Sequence, residues 1–155
     1  MKLSRVSYLL ATGFGLGTIN YIPVGTVASL LAIPIWWILI YLFSYQFYFL
    51  FLITGIGFGI FFCDQATKII GIHDHKSIVW DEFIGMWTIL TIIPTDNWLW
   101  IIIAFILFRI LDIIKPWPIS WCDHTIKGGL GIIIDDILAS VISVGIILFL
   151  MKLYN

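Results

Sequence analysis

The chain is 155 residues long with a formal net charge of −1; 61% of its residues are hydrophobic, 17% aromatic and only 11% charged, and its mean hydropathy is +1.09. So little charge excludes a soluble globule of this size, and the near-neutral balance excludes a nucleic-acid-binding surface. The implied partner is the membrane, and the length fits a single domain over 1–155.

The N-terminal stretch carries Lys2 and Arg5, and its apolar run is broken by Thr12, Gly13, Gly15 and Gly17. It is too short for a span or a cleaved signal peptide and is expected to be retained. Gly13, Gly15 and Gly17, then Pro23-Val24-Gly25-Thr26, lead into the first long apolar segment. Thr26 is the expected N-cap there, and amides at a helix N-terminus suit phosphate. Glycines alone are not a dinucleotide fingerprint, which also needs a preceding strand.

Five apolar segments follow, at 27–43, 47–62, 83–93, 98–111 and 132–151, and their lengths read as helices. A crossing helix needs about 20 apolar residues, with roughly 17 as a lower limit. The first, second and fifth segments reach or approach that; the third, ended by Pro94, and the fourth are short. The expectation is an all-α polytopic membrane bundle of about four to five apolar segments, with no internal repeat.

Charge placement gives the topology. With five crossings, Lys2, Arg5, Lys68, Lys76, Arg109, Lys115 and Lys127 fall on one side and only Lys152 on the other. Lys and Arg accumulate in short cytoplasmic loops, so the N-terminus is predicted inside. Of the nine acids, Asp96 alone belongs to the opposite face. Any chemistry is therefore expected at the cytoplasmic face.

Three stretches carry that chemistry. In the first, HDHKSIVWDEFIGMW at 73–87, Asp81 and Glu82 precede an apolar run. Acids in a first helical turn are favoured by its dipole, which does not explain why nearly all acids of an acid-poor chain share one face. In the second, FRILDIIKPWPISWCD at 108–123, Arg109, Asp112 and Lys115 recur every third residue. A helix continuing to Lys115 would set them along one side, before Pro116 and Pro118 stop it. They read equally as a snorkelling ion pair or as a metal ligand between two phosphate-binding cations. In the third, GGLGIIIDD at 128–136, Asp135 and Asp136 stand inside an apolar helix. Each carboxylate near a bilayer centre costs about 2.5 to 3.5 kcal/mol, and a bound divalent cation would offset both that cost and their repulsion.

A cluster of carboxylates alone points to Mg²⁺ before Zn²⁺. His73 and His75 read as a solvated turn and stay outside the ligand set. Cys63 and Cys122 form no C-x-x-C pair, and no arginine follows either thiol at the spacing a cysteine phosphatase needs. A small ion carrier would show internal repeats, and a noncatalytic scaffold would not gather its acids. The D-G-x-x-A-R stretch of nucleotide-activated lipid transferases is absent.

Together, in order and spacing, these stretches resemble the signature regions of the phosphatidylglycerophosphatase A family over nearly the whole chain. The resemblance implies a multi-pass bacterial inner-membrane enzyme that uses Mg²⁺ to remove the terminal phosphate of phosphatidylglycerophosphate, a phospholipid substrate within the bilayer. It places the family's acids on Asp81, Glu82, Asp112, Asp135 and Asp136, with Arg109, Lys115 and Asp123 beside them. The family's usual Pro-Gly-Thr-x-Gly-Ser is altered here: Val24 separates Pro23 from Gly25, and Ala28 replaces the second glycine. Thr26 is the phosphate-binding candidate of that loop. Spacing does not distinguish attack by water from attack by a carboxylate.

Overall fold

The computed structural model describes residues 2–72, 74–95 and 97–154, the side chains of Lys2 and Leu3 apart. His73, assigned above to a solvated turn, and Asp96, the lone acid of the opposite face, lie outside the described residues, as does the Lys2 side chain. The helices are α1 (Lys2–Ala11), α2 (Val24–Leu42), α3 (Tyr45–Ile70), α4 (Trp80–Leu90), α5 (Trp98–Ile114), α6 (Ile119–Thr125) and α7 (Gly128–Tyr154), with a 3-10 turn at Leu16–Thr18. There is no strand among the described residues.

Local chemistry sets the boundaries. Ser44 caps α3 by accepting from the Phe47 amide at 3.3 Å, and Gly71, at φ 79°, ends it in the left-handed conformation that glycine adopts without penalty. Lys115, at φ 44°, leaves the helical path at the end of α5, and Pro116 cannot continue it.

All five apolar segments are helical, but most helices outrun them. The 47–62 segment belongs to a helix of 26 residues, because backbone hydrogen bonds continue past the apolar face as long as Asp64 and Lys68 reach polar surroundings. The 83–93 segment is displaced toward the N-terminus: α4 starts at Trp80 and stops at Leu90, with Ile92 and Ile93 in the turn before Pro94. The N-cap of α2 is Pro23, not Thr26. Proline's fixed φ suits a helix start, so the helix begins three residues early and Thr26 lies within its first turn. Two helices fall outside the apolar segments: α1, which packs against α3, and α6, which follows Pro118.

Hydrogen bonds fix the directions. On α3 and α4, the Tyr48 hydroxyl donates to the Trp87 carbonyl at 2.5 Å and the Trp80 indole to the Gly55 carbonyl at 3.1 Å, so these helices are antiparallel. The Trp87 indole reaches Ala32 of α2 at 3.0 Å, and the Ser140 hydroxyl of α7 reaches Gly85 at 2.7 Å. The Trp100 and Tyr154 rings, 6.3 Å apart, bring the start of α5 to the end of α7. Six elements thus present their polar residues at one end of the bundle: the start of α2, the end of α3, the start of α4, the end of α5, α6, and the start of α7.

Helices α2, α3 and α7 are long and apolar enough to cross a membrane. Helix α4 is not. Its 11 residues extend about 16 Å, half of a hydrocarbon core of about 30 Å. Most of its residues are buried, and it packs against α2, α3, α5 and α7, so its surroundings are protein rather than lipid. Helix α7 closes on α3 at Gly129, where an added Cβ would lie 1.9 Å from the Ile60 carbonyl oxygen; any side chain there would separate the two helices.

Candidate active site

The first turn of α4 lies inside the bundle, because Trp80 meets α3 at Gly55 and Gly59 rather than at that helix's end. The segment 74–79 that leads into it therefore folds inward. The Val79 amide donates to the Ala11 carbonyl of α1 at 2.9 Å, and Gly17, lacking a side chain, lets the Ser77 carbonyl approach. This return delivers Asp81, 7% exposed, to the interior with Glu82 within hydrogen-bond reach.

Glu82 rests against α2. A Cβ on Gly25 would stand 2.2 Å from Glu82 Oε1 and 3.2 Å from Arg109 Nη2. Arg109 of α5 binds Asp112 Oδ2 through Nη1 at 2.6 Å, and the same nitrogen lies 3.5 Å from Ser29 Oγ, which donates to the Gly25 carbonyl at 2.9 Å. Asp136 of α7, 3% exposed, lies within hydrogen-bond reach of Asp112. Asp81, Glu82, Asp112, Asp136 and Arg109 thus share one interior site built by four helices. Thr26 lies in the first turn of α2, one residue past Gly25.

A second cluster adjoins it. The Lys115 ammonium pairs with Asp135, with Asp123 at 3.0 Å and with Asp74 at 3.6 Å. Asp135 is 3% exposed; its other oxygen accepts from the Asp136 amide at 3.1 Å. Burial by itself would lower the lysine's pKa, but the three carboxylates outweigh it and hold the ammonium above its ordinary value. Because Lys115 steps off α5, it does not extend the Arg109 and Asp112 row; it ties α5 to α6, to α7 and to the inward loop. Asp123 serves this tie.

The two clusters differ in what they leave unsatisfied. Among the described residues, buried atoms without a hydrogen-bond partner include Asp81 Oδ1, Glu82 Oε2, Asp136 Oδ2 and Arg109 Nε, all from the inner set. Four carboxylates facing one guanidinium in a dry interior carry excess negative charge that protein groups do not neutralise. Hard oxygen donors of this kind fit a cation such as Mg²⁺. One oxygen each from Asp74, Asp123 and Asp135 also lies within 4.8 Å of the others, a spacing able to hold a metal ion, but the Lys115 ammonium already faces all three.

Sequence reasoning missed Asp74, Gly25 and Ser29 as parts of this arrangement. Asp74 had a signal, a charged residue between two histidines in a chain with few charges, but its partner is 41 positions away. Ser29 and Gly25 carry no charge, and only the approach of α4 and α5 gives them a role.

A family model described as Phosphatidylglycerophosphatase A matches residues 9–151. Over 150 residues the chain is 51% identical to Phosphatidylglycerophosphatase A of Escherichia coli (strain K12), spanning 97% of this chain and 86% of that protein. It is 42% identical over 144 residues to the protein of that name in Haemophilus influenzae (strain ATCC 51907 / DSM 11121 / KW20 / Rd), spanning 93% and 88%. It is also 37% identical over 146 residues to a Putative phosphatidylinositol-3-phosphatase of Bacteroides thetaiotaomicron, 90% of each chain being covered. No solved structure matches the chain.

Proposed function

The chain belongs to the phosphatidylglycerophosphatase A family, and from that premise we propose that it hydrolyses the terminal phosphate monoester of phosphatidylglycerophosphate, giving phosphatidylglycerol and inorganic phosphate, with Mg²⁺ as cofactor. It is a membrane phosphatase; the substrate, the metal and the orientation are the steps proposed here. The observation that carries the reading is the set of partnerless buried carboxylate oxygens of Asp81, Glu82 and Asp136 beside Arg109.

Asp81, Glu82, Asp112 and Asp136 would hold the cation. When bound, Mg²⁺ supplies polarisation of the phosphate oxygens and activation of water. Arg109, fixed by Asp112 and Ser29, keeps its Nε without a protein partner and can donate to a phosphate oxygen in the forked geometry of a guanidinium. The amides opening α2 at Val24, Gly25 and Thr26 precede the first intrahelical bonds and offer further donors to the same anion. The apolar walls of the bundle restrict water around the reacting phosphate, which strengthens each of these charge interactions. Lys115 acts by position: its carboxylate partners hold α7 and the inward loop so that Asp136 and Asp81 face each other across the site. Of the cations predicted on one side, Lys68, Lys76, Arg109, Lys115 and Lys127 lie at the polar ends of α3, α5 and α7 or in the connections that meet there, which supports a site facing the cytoplasm across a bacterial inner membrane.

Phosphate release by the purified chain in detergent tests the reading, with phosphatidate and phosphatidylinositol 3-phosphate as competing substrates. Release selective for phosphatidylglycerophosphate, lost in chelator and restored by Mg²⁺, is the expected result. Release that survives chelation would refute the metal, and preference for either competing lipid would refute the substrate.

A further inference from the structure

Building on the proposed lipid substrate, we infer that the cleft between α2 and α5 is the seat of one of its acyl chains and sets how the headgroup meets Arg109. The cleft is a cavity of about 470 Å³ lined wholly by apolar residues, among them Leu30, Ile33 and Trp37 of α2 and Trp98, Ile102 and Phe105 of α5. These helices touch little, which leaves the space open to the bilayer.

Continuity with the polar site distinguishes this cleft from other apolar hollows. The lining residues nearest the polar site are Leu30 and Phe105, beside the pair of Ser29 and Arg109, whose Oγ and Nη1 lie 3.5 Å apart. Leu30 directly follows Ser29, and Phe105 stands one helical turn before Arg109. From there the lining runs to Trp37 and Trp98, a length of roughly 10 Å along each helix. An amphiphile with its phosphate at Arg109 therefore has an apolar trough beginning where its glycerol ends. The hollow on the outer face of α3, about 500 Å³ and lined by Thr54, Gly57, Phe58 and Phe61, lacks this continuity. A neighbouring hollow is lined by residues of α3 and by the Trp80 ring, which is held to the Gly55 carbonyl, and by no residue of α2, α5 or α7.

Lipid tails are as apolar as the cleft, so moving a chain from bilayer to protein contributes little binding. The contribution is orientation. A chain confined between two helices limits the tilt of the phosphate that it carries, and small misplacements of a reacting group are costly in rate.

The test uses the full-length protein, with Ile102→Trp and Ile33→Trp to fill the cleft and Ile53→Trp, on the lipid-facing side of α3, as control. Each is assayed on long-chain phosphatidylglycerophosphate and on a water-soluble analogue that keeps the headgroup but lacks acyl chains. The cleft variants should lose about tenfold or more in kcat/KM on the long-chain substrate only, and Ile53→Trp should change neither activity. Equal losses on both substrates would mean that the substitutions disturb the polar site; no loss on either would mean that the cleft holds only annular lipid. Each outcome overturns the proposal. A phospholipid with a photoreactive acyl chain supplies a readout independent of turnover. Labelling concentrated on α2 and α5 and abolished by Ile102→Trp supports the cleft, whereas labelling spread over all helices, or a cross-linked second copy of the chain, rejects it. If the unsubstituted protein releases no phosphate while labelling is confined to α2 and α5, the failure lies with the proposed reaction and not with the cleft.

Discussion

At the residue scale, the inner carboxylates and Lys115 have separable duties. Asp136→Asn or Asp112→Asn removes charge from the inner site without changing side-chain size. Phosphate release should fall by roughly 10² to 10³, a typical effect of losing one transition-state electrostatic contact, while circular dichroism stays unchanged. Lys115→Met acts on stability, because it leaves Asp74, Asp123 and Asp135 facing one another unpaired. Breaking a fully buried pair costs about 3 to 5 kcal/mol. Here the lysine side chain is 23% and that of Asp74 39% exposed, so solvent screening reduces the expected loss to about 1 to 2 kcal/mol, read as a lower midpoint of unfolding in detergent. Gly25→Ala is the sharpest case. The new Cβ would meet the movable end of Glu82 rather than backbone, so the fold should survive while activity drops by at least about tenfold. The acids were legible in the sequence because each is costly in an apolar chain. Gly25 and Ser29 were not, since nothing in their own chemistry announces that Glu82 and Arg109 will come to rest on them.

Among the elements, α4 shows how far periodicity carries. Its apolar run was visible, and Pro94 marked its far limit. Its true start at Trp80 depends on tertiary contacts, the Trp80 indole on Gly55 and the Val79 amide on Ala11, and neither leaves a trace in the local pattern. The Tyr48 hydroxyl that holds the other half of α4 is fully buried against the Trp87 carbonyl. Tyr48→Phe removes that bond at nearly constant volume and leaves the carbonyl without this donor, so stability should fall by about 1 to 2 kcal/mol in thermal unfolding. The row of Arg109, Asp112 and Lys115 also illustrates the limit. A spacing of three implies one helix face, yet the left-handed turn at Lys115 sends its ammonium to a different set of acids.

For the whole molecule, the charge pattern and the helix directions agree: α2, α3, α4, α5 and α7 alternate in direction, and their polar ends coincide. Reporter domains fused after Asn97 and after Lys127 should accordingly report opposite sides of the membrane; the same signal from both would refute five passes. The three long helices were legible from hydropathy because lipid imposes their length. The place of α4 was not, because protein and not lipid surrounds it. That enclosure bears on how the protein is made. A helix of 11 residues with two acids in its first turn is a poor substrate for the insertion machinery, since each acid at mid-membrane opposes partitioning by about 2.5 to 3.5 kcal/mol. Helix α4 cannot be laid down as an independent unit in chain order. It enters only when α2 and α3 already stand in the bilayer, and it is sealed when α7, which follows it in the chain, closes over it, so the site is completed only after α7 has been made.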